Sequence, residues 1–389
     1  MTPDADAPSA GAISAGGQPD DERVARLLLS RVAEPGDVEL GTRVAELGAV
    51  ETVQQLRVGD LRHRGLLNLR ARLDAARPDR DLAVGAALGA RFVIPGDAEW
   101  PEQLADLIRI SRTDAGVPLG LWLRGPLDLA AACRRSVAVV GARASTAYGE
   151  YVASEMALGL AERQWTVVSG GAYGIDGAAH RGALSVAGAT IAVLACGVDI
   201  AYPRGHTALI DRISKEGLVV SEWPPGCAPM RHRFLVRNRV IAALTAGTVV
   251  VEAAARSGAL STANRARELD RHVMSVPGPV TSTMSHGTNQ LLRELDVRCV
   301  TGVADVLELV GQLGDDLAPQ LMLPADPRDE LDEVSRRVLE SVPVRRAAGP
   351  ASISVAAGIS PQQVLRALGG LAARGFVERV ETGWRLTKH

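Results

Sequence analysis

The stretch Ser136-Val-Ala-Val-Val140-Gly141-Ala-Arg143-Ala-Ser145 decides how this chain folds. Its first five residues are small or β-branched and carry no charge. A half-exposed strand would alternate polar and apolar side chains, so this run reads as a strand buried on both faces. Gly141 allows a tight turn, and the residues after it open a helix whose free N–H groups attract phosphate. Arg143 sets a forked cation beside that turn.

The same pattern recurs along the chain. Short apolar runs at Thr166–Val168, Thr190–Leu194, Leu218–Val220, Thr248–Val251 and His272–Val276 alternate with helical stretches and small-residue turns. Strand and helix in alternation predict an α/β fold, a Rossmann-like doubly wound parallel sheet over residues 90–310. A second glycine turn, Gly170-Gly171-Ala-Tyr-Gly174-Ile-Asp176, and a third at Glu252-Ala-Ala-Ala-Arg256-Ser257-Gly258 follow strands in the same way. Both belong at the carboxyl edge of the sheet, where open α/β folds bind ligands.

The flanks read differently. Residues 1–20, rich in Asp, Ala, Pro and Gly, predict a disordered tail, and 21–85 carry helical spacing with short breaks, as in a SAM-like or helix-hairpin-helix module. A linker is expected over 311–327. Residues 328–389 predict three helices and a hairpin, a winged helix, with Ser360 as N-cap and Pro361 at the first helical position. DNA contact through a 361–373 helix competes there with a protein-packing role, because that helix and its end carry only Arg366 and Arg374.

Composition removes several classes of function. Lys plus Arg number 43 and Asp plus Glu 45, so the chain is not coated in positive charge. The two lysines, Lys215 and Lys388, follow Ser214 and Thr387, so no Gly-Lys-Ser/Thr phosphate loop exists. Four cysteines form no CxxC pair, and no His precedes Glu, which removes zinc ribbons and HExxH metalloproteases. No cofactor or metal is expected. The first residues lack an apolar core, and no uncharged run is long enough for a membrane span. A cytoplasmic protein is therefore expected.

Charge and aromatics concentrate locally. Residues 134–240 hold 12 basic and 8 acidic residues and seven of the chain's twelve aromatics. Arginines with aromatics along one sheet edge suit a nucleic-acid strand, with phosphates on the cations and bases on the rings. Arg237-Asn238-Arg239 adds three donors in sequence. If extended, that run would put both arginines on one face and leave Asn238 to cap the next helix.

Taken in order, Val140-Gly-Ala-Arg143, Ser169-Gly-Gly-Ala-Tyr-Gly-Ile-Asp176, Ala192-Val-Leu-Ala-Cys-Gly197-Val-Asp199, Tyr202-Pro203, Ser221-Glu222, Arg237-Asn-Arg239, Val251-Glu252-Ala, Ser257-Gly-Ala-Leu and Val276-Pro-Gly278 resemble the DNA-processing protein A family, DprA or Smf. The resemblance is dense over 95–300. It implies a non-enzymatic homodimer that binds single-stranded DNA, protects it and loads RecA recombinase in natural transformation or recombination. It carries DNA binding onto Gly141, Arg143, Gly170, Gly171, Gly174, Tyr202, Arg204, Arg237, Asn238, Arg239, Ser257 and Gly258. Two places depart from the family pattern: Tyr173 stands where an arginine is usual, and Gly205-His206 where a Glu-Asn pair is common.

Two rival readings differ in class. Nucleoside-monophosphate phosphoribohydrolases share this kind of fold, but they carry Pro-Gly-Gly-x-Gly-Thr where this chain has Val276-Pro-Gly278-Pro. Only Glu252 with Arg256 supports that reading, and a capping role for Glu252 competes with it. A transcriptional regulator dominated by the winged helix is the other.

Overall fold

A computed structural model describes residues 19–58, 72–311, 328 and 331–387. The chain divides into two compact units, residues 1–318 and 319–389. The tail expected over 1–20 falls outside the described residues except for its last two, which begin a helix. The linker expected over 311–327 falls outside them except for Gly311.

Nine strands of the first unit form one sheet in the order β1-β2-β6-β5-β4-β3-β7-β8-β9. They are β1 (Ala90–Val93), β2 (Leu121–Arg124), β3 (Ser136–Val140), β4 (Thr166–Ser169), β5 (Thr190–Val193), β6 (Leu218–Ser221), β7 (Gly247–Val250), β8 (His272–Ser275) and β9 (Val297–Cys299). From β6 to β9 every neighbouring pair is parallel. The β1–β2 pair extends the sheet antiparallel at the β6 side. The six strands expected from sequence are all present. The three others lie toward the sheet's two ends, where strands are short or carry charge.

Alternation along β3 shows why its run is uniformly apolar. Ala138 and Val140 face one core with Val168, Val250 and the helix residues Val240, Ile241 and Ala263. Val137 and Val139 face the other, with Val167, Val249, Met156, Leu160 and Ala179. Successive strand residues point to opposite faces, so helices on both faces demand apolar residues at every position. The sheet is doubly wound, as predicted.

Helices α1 (Pro19–Val32), α2 (Val38–Leu47), α3 (Ala49–Val58) and α4 (Pro78–Ala87) precede the sheet. Leu29, Leu40, Val44, Val53 and Leu56 pack together as their core. Asp37 caps α2 by accepting from the Leu40 amide at 3.0 Å. The module is fastened to the sheet: Leu27 packs with Phe92, Trp122 and Ile210, and Arg23 holds Asp97 through two bonds of 2.8 and 2.9 Å.

Five further helices follow: α5 (Leu129–Cys133), α6 (Ala147–Glu162), α7 (Ile175–Ser185), α8 (Thr207–Glu216) and α9 (Arg231–Ala243). Helix α9 corrects a sequence expectation. Phe234 to Arg239 is not extended but lies inside this helix, so Arg237, Asn238 and Arg239 point in three directions, and Asn238 caps nothing. No Gly or Pro interrupts 231–243, so nothing stops the helix. Helices α10 (Gly258–Glu268), α11 (His286–Leu291) and α12 (Val303–Val310) complete the unit.

The second unit contains α13 (Glu333–Ser341), α14 (Pro350–Ala357), α15 (Pro361–Ala373) and the hairpin β10 (Val377–Val380) with β11 (Gly383–Leu386). Val338, Ile353, Val364, Leu368, Leu371 and Val377 form its core. The elements follow the expected order. Ser360 sits at the N-cap of α15 but makes no cap bond; its hydroxyl donates instead to the Gln363 side chain at 2.7 Å.

Arg239 is fully buried, and it forms two bonds of 2.6 and 2.8 Å with Glu222, the residue that follows β6. Its Nε donates to the Gly116 carbonyl at 3.0 Å. Removing one member of such a pair strands a buried charge, whereas removing both does not. Arg239→Met should therefore cost roughly 3–5 kcal/mol. Arg239→Met with Glu222→Leu should recover most of that loss in denaturant unfolding followed by tryptophan fluorescence. A double variant as unstable as the single one would contradict this account.

Candidate nucleic-acid interface

The chain runs outward from β3 through β4, β5 and β6, then returns to place β7 on the other side of β3. The turns after β3 and β7 therefore diverge and open a crevice, the site at which doubly wound sheets hold ligands. Here the crevice is about 700 Å³. The β3 turn contributes Gly141 and Arg143, the β7 turn Ser257 and Gly258, helix α9 Arg231, Phe234, Arg237 and Asn238, and a neighbouring loop Tyr202.

Three of these side chains form a stack. The Arg143 guanidinium lies 4.7 Å from the centre of the Phe234 ring, and Phe234 lies 5.5 Å from the Tyr202 ring. A cation over a ring face is held by the ring's quadrupole. Arg143 is exposed and Tyr202 partly so, which leaves a cation and a ring face open to a ligand.

Arg237 plays a different part from the one its sequence position implies. It is buried, and Nη1 donates to the Gly170 carbonyl at 2.9 Å and also to the Val193 carbonyl. Its Nε donates to Asn238 Oδ1 at 3.2 Å, and Asn238 Nδ2 donates to the Gly258 carbonyl at 3.2 Å. The ends of β4 and β5, helix α9 and the start of α10 are thus tied together. Gly170 is required by this clamp, because a Cβ there would lie 2.4 Å from the guanidinium. Burial pushes Arg237 down to about 10, with the Asp176 charge opposing the shift, so it stays protonated at neutral pH. Burial raises the Asp176 carboxyl, against the pull of Arg237 and the Ala172 amide. Arg143, Arg231 and Arg237 face one carboxylate here, Asp176, so the crevice favours an anion.

The other expected residues fall beside the crevice. Gly174, at φ +73°, caps α7 in a conformation that favours glycine, and the Gly171 carbonyl lies 3.0 Å from His206 Nδ1. Arg204 is exposed but does not line the crevice, and Arg239 is spent on Glu222. Arg231 and Phe234 are not among the residues that the family resemblance marks for DNA binding. Their signal is the helical spacing 231, 234, 238, visible only once the run is read as a helix.

The two departures from the family pattern prove to be one packing solution. Tyr173 Oη accepts from the Gly205 amide at 3.1 Å, and its ring meets His206 edge-on at 4.8 Å. A Cβ at position 205 would lie 2.5 Å from that hydroxyl, so Tyr173 and a larger residue at 205 do not fit together.

Glu252 is fully engaged in structure. One oxygen accepts from the Thr146 amide at 2.9 Å and the other from its hydroxyl at 2.6 Å, which anchors the start of α6. It makes no ion pair with Arg256 among the described residues, so the pairing that favoured a hydrolase is not formed. Among the described residues, no three His, Cys, Asp or Glu side chains gather to hold a metal, and no helix is long and apolar enough to cross a membrane.

Fold and site together define a doubly wound α/β protein with a cationic, aromatic-walled crevice at its topological switch point. The chain belongs to the DNA recombination-mediator protein A family, whose model matches residues 91–311. It is 45% identical over 364 residues to a putative DNA processing protein DprA of Mycobacterium tuberculosis, covering 92% of this chain and 93% of that one. It is 42% identical over 190 residues to the DNA processing protein DprA of Streptococcus pneumoniae, covering 49% of this chain and 66% of that one. The X-ray structure of the pneumococcal protein superimposes with a TM-score of 0.61 at 32% identity, covering 75% of this chain and 98% of that chain.

Two outcomes follow from the buried groups. Arg237→Ala should weaken ligand binding and also cost roughly 3 kcal/mol of stability, since it orphans two carbonyls and leaves Asp176 without its cation. A variant with wild-type stability would show that the clamp is not needed. His180 is fully buried; Nδ1 lies 2.8 Å from the Thr190 hydroxyl and Nε2 has no partner among the described residues. Burial, then the charges of His206, Arg181 and Arg237, push it down to about 3. The unfolded chain thus binds the proton first, and stability should be lost as pH falls from about 6.5 toward 3. His180→Asn should flatten that acid limb in thermal melts at stepped pH; an unchanged limb would assign it to other groups.

Proposed function

We propose that this chain binds single-stranded DNA in the β3–β7 crevice without transforming it chemically. The observation that carries the reading is the Arg143–Phe234–Tyr202 stack, which offers a phosphate partner and a base platform side by side at a ligand-binding edge. The opening turn of α10, at Ser257 and Gly258, adds a second place for a phosphate. The relatives' name, DNA processing protein, is in keeping with this. We further infer a cytoplasmic homodimer that shields the strand and hands it to RecA recombinase in transformation or recombination, the role that the family resemblance implies. The second unit is proposed to be a winged helix, and 90–310, 21–85 and 328–389 to be the functional divisions of the chain. Gly141, Arg143, Tyr202, Ser257 and Gly258 are proposed to touch the strand, with Arg237, Asn238, Gly170, Gly171 and Gly174 holding them in place.

Affinity in such a groove comes largely from released counterions and falls with salt. Fluorescence anisotropy of a labelled oligothymidine should show preference over matched duplex, with affinity dropping between low and physiological salt. Arg143→Ala should cost roughly 1–3 kcal/mol of binding with no change in melting temperature. Unaltered affinity in that variant would remove the stack from the interface. Release of free base from nucleoside monophosphates would instead support the hydrolase reading.

A further inference from the structure

A second cleft, of about 610 Å³, lies between the N-terminal helices and the sheet edge beside β5 and β6. Arg31, Arg72, Arg77 and Arg80 line it, together with Asp81 and Asp199. Both carboxylates are already engaged. Asp81 is gripped by Arg31, and Asp199 accepts from the Gly226 amide at 2.9 and 3.0 Å. Arg31 also donates to the Pro225 carbonyl at 2.9 Å, so it serves as the fastener between α1, α4 and this loop.

The other three arginines have no carboxylate partner among the described residues. Arg72 reaches the Val32 carbonyl at 3.1 Å, and Arg77 the Asp74 and Ala76 carbonyls at 2.8 and 2.9 Å. The Arg80 side chain makes no hydrogen bond or ion pair among the described residues. All three are exposed. Asp74 and Asp79 lie nearby in sequence but do not line the cleft. Three uncompensated guanidinia converging on one concavity repel each other unless an anion joins them, and a planar fork suits phosphate oxygens.

Residues from the same two segments of chain line both clefts. Asp199 and Gly226 line the second, while Tyr202 and Arg231 line the first. The members of these pairs are three and five positions apart along the chain, which bounds the gaps at about 11 and about 18 Å of extended chain. A strand leaving the crevice past Tyr202 has this cleft directly in reach.

We propose that the cleft formed by Arg72, Arg77 and Arg80 is a second phosphate site that receives the same DNA strand as it leaves the crevice. The inference rests on the crevice reading above and lengthens its footprint onto the helical module. Arg31 positions the module and does not itself contact the strand.

The test uses the full chain with two labelled oligothymidines, one of about 5 nucleotides and one of about 20, spanning the usual range of single-strand footprints. The variants are the triple Arg72→Ala, Arg77→Ala, Arg80→Ala and the single exposed change Arg80→Glu, which removes no contact seen here. Affinity of the long strand for the triple variant should fall about tenfold at physiological salt. The slope of log affinity against log salt should shrink by about 2, at roughly 0.7 for each phosphate no longer neutralised. The short strand should bind as it does to the wild type. Unchanged long-strand affinity and slope in both variants would overturn the proposal, as would an equal loss for both lengths. If the wild-type chain binds neither strand, the crevice reading fails first and takes this one with it.

Discussion

Arg237 is 4% exposed, and its donors reach the carboxyl ends of two strands at Gly170 and Val193 and, through Asn238, the start of a further helix at Gly258. Few other interactions here join so many separate elements. A buried guanidinium is costly unless its donors are satisfied, so each partner is held where the cation needs it. The exposed residues of the crevice depend on that frame. Phe234 and Arg231 reach the crevice wall because α9 is pinned at Arg237, and Arg143 stacks on Phe234. The cation that looks most like a ligand contact in the sequence mainly fixes the position of those that face solvent.

Charge is distributed in two ways within the same unit. Arg23, Arg31 and Arg239 are each paired with a carboxylate and bind one layer to another. Arg143, Arg231, Arg72, Arg77 and Arg80 are exposed, without a carboxylate partner among the described residues, and lie along two concavities of one sheet edge. A chain with a net charge of −2 can therefore present a basic path, because few of its carboxylates line these two concavities. Sorting arginines by partner separates those that hold the fold from those free to meet a ligand, and counting them along the chain does not.

Some of the site was plain in the sequence. The strand runs, the glycine turns after them and the position of Arg143 all follow from local rules, since a strand buried on both faces must be apolar throughout and a tight turn selects glycine. The Arg237–Arg239 run was harder. Six residues cannot reveal whether alternation or helical spacing applies when apolar and basic side chains are mixed, and the helix was missed. The exclusion of Arg239 and the inclusion of Arg231 both follow from that one change of period. The strands β1 and β9 escape for a related reason: these end strands are only partly buried, so their sequences lack the continuous apolar signature, whereas β2 offers an apolar run of only three residues, Leu121 to Leu123, before Arg124.

What the sequence determined by itself was the alternation of strand and helix, hence a doubly wound sheet with its ligand edge at the glycine turns, and the family whose ordered motifs it carries. Those features are local, written in propensity and in spacing of a few residues. Tertiary structure alone decided which arginine met which carboxylate, that Tyr173 and Gly205 form one packed pair, and that Arg72 to Arg80 share a cleft with a loop more than a hundred residues away. Those are contacts between distant segments. Their formation depends on the crossing of whole layers, and no short stretch of chain encodes it.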